Sequence, residues 1–299
     1  MYLESWKDIY PKNIPPKNVL VVRSENSVST DIHNPNFKVF IRLHPLCTND
    51  ITMKADEFGI VNTINKFKFS GVFTKNDSST RIYNKTIGHV LSDEKQSNNN
   101  ITLFCYGATG TGKTYTLLDE QNGLLHMTAL DQIKFPVKIS CIQIYKEVVT
   151  SLYHKDTPSS CLNLNSRSNI DFQPLENIKI KVYSVKELIK YIKIGSENRV
   201  THQTDFNSAS SRSHMIFTFY DTQRQVNFVD LAGSEKYTTQ DLEETTSINK
   251  SLLALGRVVS CLCKKSSHVP YRDSQLTMFL RNSLGGKILM IVIIKNENN

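Results

Sequence analysis

Apolar and polar positions along the chain alternate between two rhythms. Phe37 to Leu43 and Val137 to Tyr145 read as strands, and Ile101 to Tyr106 and Ile288 to Ile294 as strands buried on both faces. Met215 to Tyr220 and Gln225 to Asp230 have the spacing of a strand pair. Between them the period lengthens to that of a helix. Val185, Leu188, Ile189 and Ile192 predict a helix over Val185 to Ile194, with Ser184 and Glu187 spaced as a capping box. A long helix is predicted over Thr246 to Cys263 and a shorter one over Ser274 to Ser283. Strands interleaved with helices define an α/β layered domain, placed at residues 37–299. Residues 1–36 are set apart as a partly disordered extension by Pro11, Pro15, Pro16 and a polar stretch from Ser24. Within it Leu3, Trp6, Ile9 and Tyr10 fall at helical spacing, and Val19 to Val22 suggests a short strand. Asn98 to Asn100 reads as a polar turn without a function, and no heptad run or repeat is visible.

The strand Ile101 to Tyr106 runs into Gly107, Ala108, Thr109, Gly110, Thr111, Gly112, Lys113 and Thr114, a full match to G-x-x-x-x-G-K-[ST]. Glycines let the backbone curl so that successive N–H groups face inward, and the helix that follows turns its positive end toward phosphates. Lys113 is then expected to reach the β- and γ-phosphates, and the Thr114 hydroxyl to ligate magnesium. Asp230, at the end of the apolar run Val226 to Val229, has the position of a Walker-B acid that reaches the metal through water. The Asn-Lys pairs of the chain are not followed by the Asp of a guanine-reading N-K-x-D element, which favours ATP.

Charge adds a partner. Lys and Arg number 36 against 28 Asp and Glu in 299 residues, a net +8 that suits an acidic surface. No zinc finger, RNP aromatic pair or basic zipper is present, so nucleic acid is not the expected one. The longest apolar run, Ile288 to Ile294, falls far short of the roughly 20 residues that cross a bilayer, and the start of the chain lacks the apolar core of a signal peptide. An intracellular protein with no membrane partner is expected. The six cysteines, without a CxxC pair, are expected to be reduced thiols.

Two further elements carry a resemblance. Asn207-Ser208-Ala209-Ser210-Ser211-Arg212-Ser213-His214 and Asp230-Leu231-Ala232-Gly233-Ser234-Glu235 resemble the N-x-x-S-S-R-S-H and D-L-A-G-S-E signatures of kinesin motor domains, in that family's order after the phosphate loop. The resemblance implies a P-loop fold with a central, mostly parallel or mixed sheet flanked by helices on both faces. It further implies MgATP hydrolysis on microtubules in the cytoplasm. Ser210 and Ser211 would offer hydroxyls to the metal (Ser211), the γ-phosphate or the attacking water. Gly233 would let its N–H approach the γ-phosphate, and Arg212 and Glu235 would form a bridge closing the site. Phe37 to Leu46 is similar to the strand and R-x-R-P element that cradles adenine, with Arg42 and Pro45 matching and His44 departing; Tyr115 joins the nucleotide-binding set. Ser247 to Val259 resembles the helix that lies against tubulin, and His268 to Thr277 the H-V-P-Y-R-D-S-K-L-T element beside it. Lys250, Lys264, Lys265, His268, Tyr271, Arg272 and Arg281 are the expected microtubule contacts.

The pattern also breaks. The loop Lys236 to Ser247 is shorter than in typical kinesins, Gly123 to Met127 replaces G-I-I-P-R, and Ser70 replaces the Asp of F-x-F-D-x-V-F. The chain stops after Ile288 to Ile294, where the family is expected to continue into a last helix and a neck linker. Three readings follow: a microtubule-coupled ATPase, a nucleotide- and microtubule-binding protein without productive motility, and a P-loop ATPase serving another partner.

Overall fold

A computed structural model describes residues 36–45, 53–56, 59–62, 66–93, 99–154, 173–201, 209–221, 224–235 and 242–295. The strand and helix expected within residues 1–35 lie outside them. Twelve strands are described: β1 (Phe37–Leu43), β2 (Met53–Asp56), β3 (Gly59–Asn62), β4 (Lys66–Lys68), β5 (Gly71–Phe73), β6 (Ile101–Tyr106), β7 (Val137–Tyr145), β8 (Val148–Ser151), β9 (Ile180–Val182), β10 (His214–Tyr220), β11 (Gln225–Asp230) and β12 (Lys287–Ile294). The described helices are α1 (Ser79–Lys85), α2 (Ile87–Asp93), α3 (Lys113–Leu118), α4 (Leu124–Asp131), α5 (Val185–Thr201), α6 (Ala209–Arg212), α7 (Leu242–Cys263), α8 (Gln275–Phe279) and α9 (Arg281–Leu284).

The main sheet has the order β5-β1-β12-β6-β11-β10-β7-β8, with β9 also on β7. Strands β5, β1, β12, β6 and β11 are mutually parallel, whereas β10, β7, β8 and β9 pair antiparallel, so the sheet is mixed. Strands β2, β3 and β4 form a separate small antiparallel sheet. Alternate residues of the central strands face two cores. Ile101, Leu103, Phe217, Leu289 and Ile291 point toward α4 and α5, while Phe104, Ile216, Met290 and Val292 point toward α7 and α8. Both faces are covered, which is why these strands read as unbroken apolar runs.

Elements differ from expectation where tertiary contacts decide. Helix α5 runs on from Ile194 to Thr201 after its apolar period ends. Gly195 lets the helix lie against Cys141, and Arg199 is held by a buried partner described below. At its start Ser184 Oγ accepts from Glu187 N at 3.2 Å, and Glu187 reaches back to Tyr183 N at 2.9 Å, one residue earlier than in the usual box. The helix expected over Ser274 to Ser283 is broken at Leu280 into α8 and α9, which turns Leu280 and Leu284 both into the core. Cys105 and Cys141 are buried and Cys261 and Cys263 half-buried, and none of these four is in a disulfide.

Asn100 corrects the reading of a functionless turn. Its side chain donates to Asn282 O at 2.7 Å and accepts from Gln225 N at 2.7 Å, and its carbonyl accepts from Lys287 N at 2.8 Å. It therefore ties the starts of β6, β11 and β12 to α9. A side chain on Gly286 would collide with the Asn100 carbonyl, so the glycine is required at this junction. Asn100→Ala removes two of the three bonds and is expected to cost about 1–2 kcal/mol of stability, read as a lowered midpoint in thermal unfolding; an unchanged midpoint would contradict the role.

Candidate nucleotide site

The parallel strands β6, β11, β12 and β1 all end on one edge, where α/β sheets place ligands. From β6 the chain enters the phosphate loop with positive φ at Gly107 (155°), Gly110 (74°) and Gly112 (96°), conformations that glycine alone adopts without strain. Gly107 is tight as well: a Cβ there would meet the Ile293 carbonyl of β12. Lys113 is buried at the start of α3, and its Nζ donates to Gly107 O at 2.9 Å and Ala108 O at 2.8 Å. Burial pushes its ammonium below the usual lysine range, opposed by Asp230 and Glu235. The cation thus points into its own loop, where an anionic ligand would replace carbonyl oxygens.

Beside it, Thr114 Oγ1 donates to Asp230 Oδ2 at 2.7 Å. Asp230 also forms an ion pair with Arg199, the two side chains being 1% and 2% exposed. Arg199 donates in addition to Ser213 O at 2.8 Å, joining α5 to the segment after α6. The second carboxylate oxygen, Asp230 Oδ1, is buried without a hydrogen-bond partner among the described residues. A hydroxyl, a carboxylate and an unsatisfied oxygen at one point are the donor set that a hydrated magnesium ion takes. The described residues fit that ion.

Two loops close around this point. Gly233 N donates to Ser211 O at 2.7 Å, Ser234 N to Gly107 O at 3.2 Å, and Leu231 N to Cys105 O at 3.2 Å. Glu235 turns onto the phosphate loop, its Oε2 accepting from Thr109 N at 2.9 Å and its Oε1 from Thr109 Oγ1. A Cβ on Gly233 would strike this carboxylate and Thr109, which explains the glycine there. The contact between Glu235 and Thr109 was not foreseen from the sequence, which paired Glu235 with Arg212. Arg212 ends α6, half-buried, next to Ser211; Ser210 lies in the same short helix.

Among the residues expected to cradle a base, Arg42 Nη1 donates to Thr116 Oγ1 at 2.7 Å and its guanidinium lies 5.8 Å from the Tyr115 ring centre. Tyr115 is 52% exposed, and Pro45 is exposed just after β1. The backbone N–H of His44 continues the ladder, donating to Ile294 O at 2.8 Å.

A family model of the kinesin motor domain matches residues 47–299. The chain belongs to that family. A kinesin heavy chain of Syncephalastrum racemosum is 35% identical over 76% of this chain and 28% of its own length, and the kinesin-like protein KIN-14A of Oryza sativa subsp. japonica is 30% identical over 88% of this chain and 31% of its own. The chain therefore spans about a third or less of the length of these curated relatives. Among solved structures, the motor domain of the Saccharomyces cerevisiae kinesin-related protein Kar3 superimposes with a TM-score of 0.68 at 28% identity, covering 87% of this chain and 93% of that one. As a kinesin motor domain it is a nucleotide-binding, α/β-folded member of a microtubule-associated motor family.

The residues expected to face a filament gather on the other core layer of this motor domain. Lys250 on α7, Lys264, Lys265 and His268 after it, Arg272 and Arg281 are exposed, and Tyr271 is half-buried with Arg281 5.9 Å from its ring centre. One contact there was missed. The β7–β8 turn has positive φ at Lys146 (48°) and Glu147 (59°), and Glu147 Oε2 accepts from Gln275 N at 2.7 Å, fastening the turn to the start of α8. No sequence periodicity links positions this far apart.

His214, the last residue of the first loop signature, is 3% exposed, and Ala232 N donates to its Nδ1 at 3.0 Å. Burial lowers its pKa to about 3, with Arg199 and Lys113 adding to the effect against Asp230. The unfolded chain then takes up a proton near pH 6.5 that the folded chain refuses until about pH 3, so this contribution is complete above pH 6.5 and lost as pH falls below it. Thermal midpoints measured from about pH 7.5 to about pH 5 are expected to decline, and less steeply in His214→Asn, which has no imidazole to protonate; parallel declines would refute the assignment.

Proposed function

We propose that this motor domain hydrolyses MgATP slowly alone and faster on microtubules. One observation carries the chemistry: Thr114 and Asp230 meet at 2.7 Å beside Lys113, and Asp230 Oδ1 is left buried without a partner among the described residues. Thr114 and Ser211 would hold magnesium directly and Asp230 through water; the ion supplies charge neutralisation for the phosphates. Lys113 and the backbone N–H groups of residues 107–114 would bind the phosphates, while Arg42, Pro45 and Tyr115 would bound the base. Ser210, Ser211 and the Gly233 N–H would orient the γ-phosphate and the attacking water. Arg212 and Glu235 would bridge in the closed state.

For the partner, the support is the exposed basic side chains of Lys250, Lys264, Lys265, Arg272 and Arg281 in a family whose relatives are named kinesins. Lysine and arginine point charges over an acidic filament provide long-range attraction. The proposed location is the microtubule cytoskeleton of the cytoplasm, with neither nucleic acid nor membrane as partner. A second reading, nucleotide and microtubule binding without productive movement, is favoured by the short segment between Glu235 and Ile248.

Steady-state ATP turnover with and without microtubules separates the readings. Turnover should rise with microtubule concentration, and co-sedimentation should weaken with added salt as electrostatic steering is screened; flat turnover with binding intact would leave the second reading, and absence of binding would leave an ATPase for another partner. Arg212→Ala and Glu235→Ala should keep ATP affinity within a few-fold while slowing hydrolysis roughly tenfold or more, since a bridge formed only in the reactive state affects turnover and not binding. Lys113→Ala should lose nucleotide affinity as well. Parental turnover in both gate variants would defeat the closing bridge.

A further inference from the structure

The buried imidazole of His214 has two nitrogens and two different partners. Because Ala232 N–H donates to Nδ1 at 3.0 Å, the ring proton resides on Nε2. Nε2 lies 2.7 Å from Ser251 Oγ in α7, and that hydroxyl donates onward to Ile248 O at 2.8 Å. The direction of the whole chain of donors is thereby set: Ala232 N–H to His214, His214 to Ser251, Ser251 to Ile248. Each end is mechanically distinct. Ala232 adjoins Gly233, whose N–H is bonded to Ser211 O, and Ser251 is a buried residue on the inner side of the helix whose outer side carries Lys250.

We propose that His214 is a positioning residue that transmits the state of the nucleotide loops to α7 through the Ser251 hydroxyl. A shift of the Ala232–Gly233 segment when a γ-phosphate is bound or released changes the hydrogen bond at Nδ1, and a ring with one proton and no access to water passes that change to the helix. Neither bond is replaceable by solvent, since His214 and Ser251 are 3% and 2% exposed. The link bypasses residues 236–241, the covalent route between Glu235 and α7. The inference deepens the proposed coupling and rests on nucleotide binding at this site.

Ser251→Ala deletes the link with a small change in volume, and His214→Asn keeps an acceptor for Ala232 N–H while losing reach to Ser251. Two measurements decide. In hydrogen–deuterium exchange of α7, the parent should change protection when a non-hydrolysable MgATP analogue is added, and Ser251→Ala should lose most of that change. In ATP turnover, Ser251→Ala should keep its rate without microtubules within about twofold, keep its microtubule affinity, and lose about three- to tenfold in stimulated kcat, the range of one buried hydrogen bond. His214→Asn should reproduce the loss, and the double variant should add nothing to it. Nucleotide-dependent exchange that persists at parental size in Ser251→Ala, or is missing in the parent, overturns the proposal. If the parent shows no microtubule stimulation while its exchange change is lost in Ser251→Ala, the proposed function fails and the link stands.

Discussion

The arrangement of the site depends on one buried charge. Asp230 is surrounded by low-dielectric core at the end of β11, and a carboxylate there is tolerable only if paired. Arg199 supplies the pair from α5, so a helix on one face of the sheet is anchored to the centre of the ligand edge. Leaving either charge alone would cost about 3–5 kcal/mol. The pairing also explains the length of α5, whose last turns have no apolar period of their own.

From Asp230 the remaining geometry follows by short steps. Thr114 is held on its Oδ2, which orients the first turn of α3 and the lysine before it. Arg199 also holds Ser213 O, and Ser211 O holds Gly233 N, so the first loop, the second loop and the phosphate loop share one hydrogen-bonded network. His214 extends that network through the sheet edge to α7. A ligand that reorganises any member therefore meets the constraints of all of them, as a bistable switch requires.

The two core layers divide the labour. Helices α4 and α5 cover one face, with Leu188 and Ile192 buried there, and α7 covers the other with Leu252, Leu255 and Val259. Its exposed side presents Lys250 and leads into the basic segment ending at Arg281. The proposed chemistry at the strand ends and this charged surface thus lie on opposite sides of α7, and one imidazole reaches from Ala232 to the inner side of that helix.

Much of this was legible without coordinates because it is local. Strands β1, β6, β7 and β11 have the bounds their patterns predicted, since burial on the two faces of the sheet favours apolar side chains along them. The phosphate loop was equally legible, because positive φ demands glycine and a phosphate demands lysine and a hydroxyl at set spacing. What no local pattern contains is which distant residues meet. The Arg199–Asp230 pair, the contact of Glu235 with Thr109, the Asn100 junction, the break at Leu280 and the Glu147 cap on α8 each join segments far apart in the chain or answer to packing across it. Apart from Leu280 their side chains are polar and obey no period, so only the order of strands in the sheet, which brings β6 beside β11 and β10 beside β7, decides their partners.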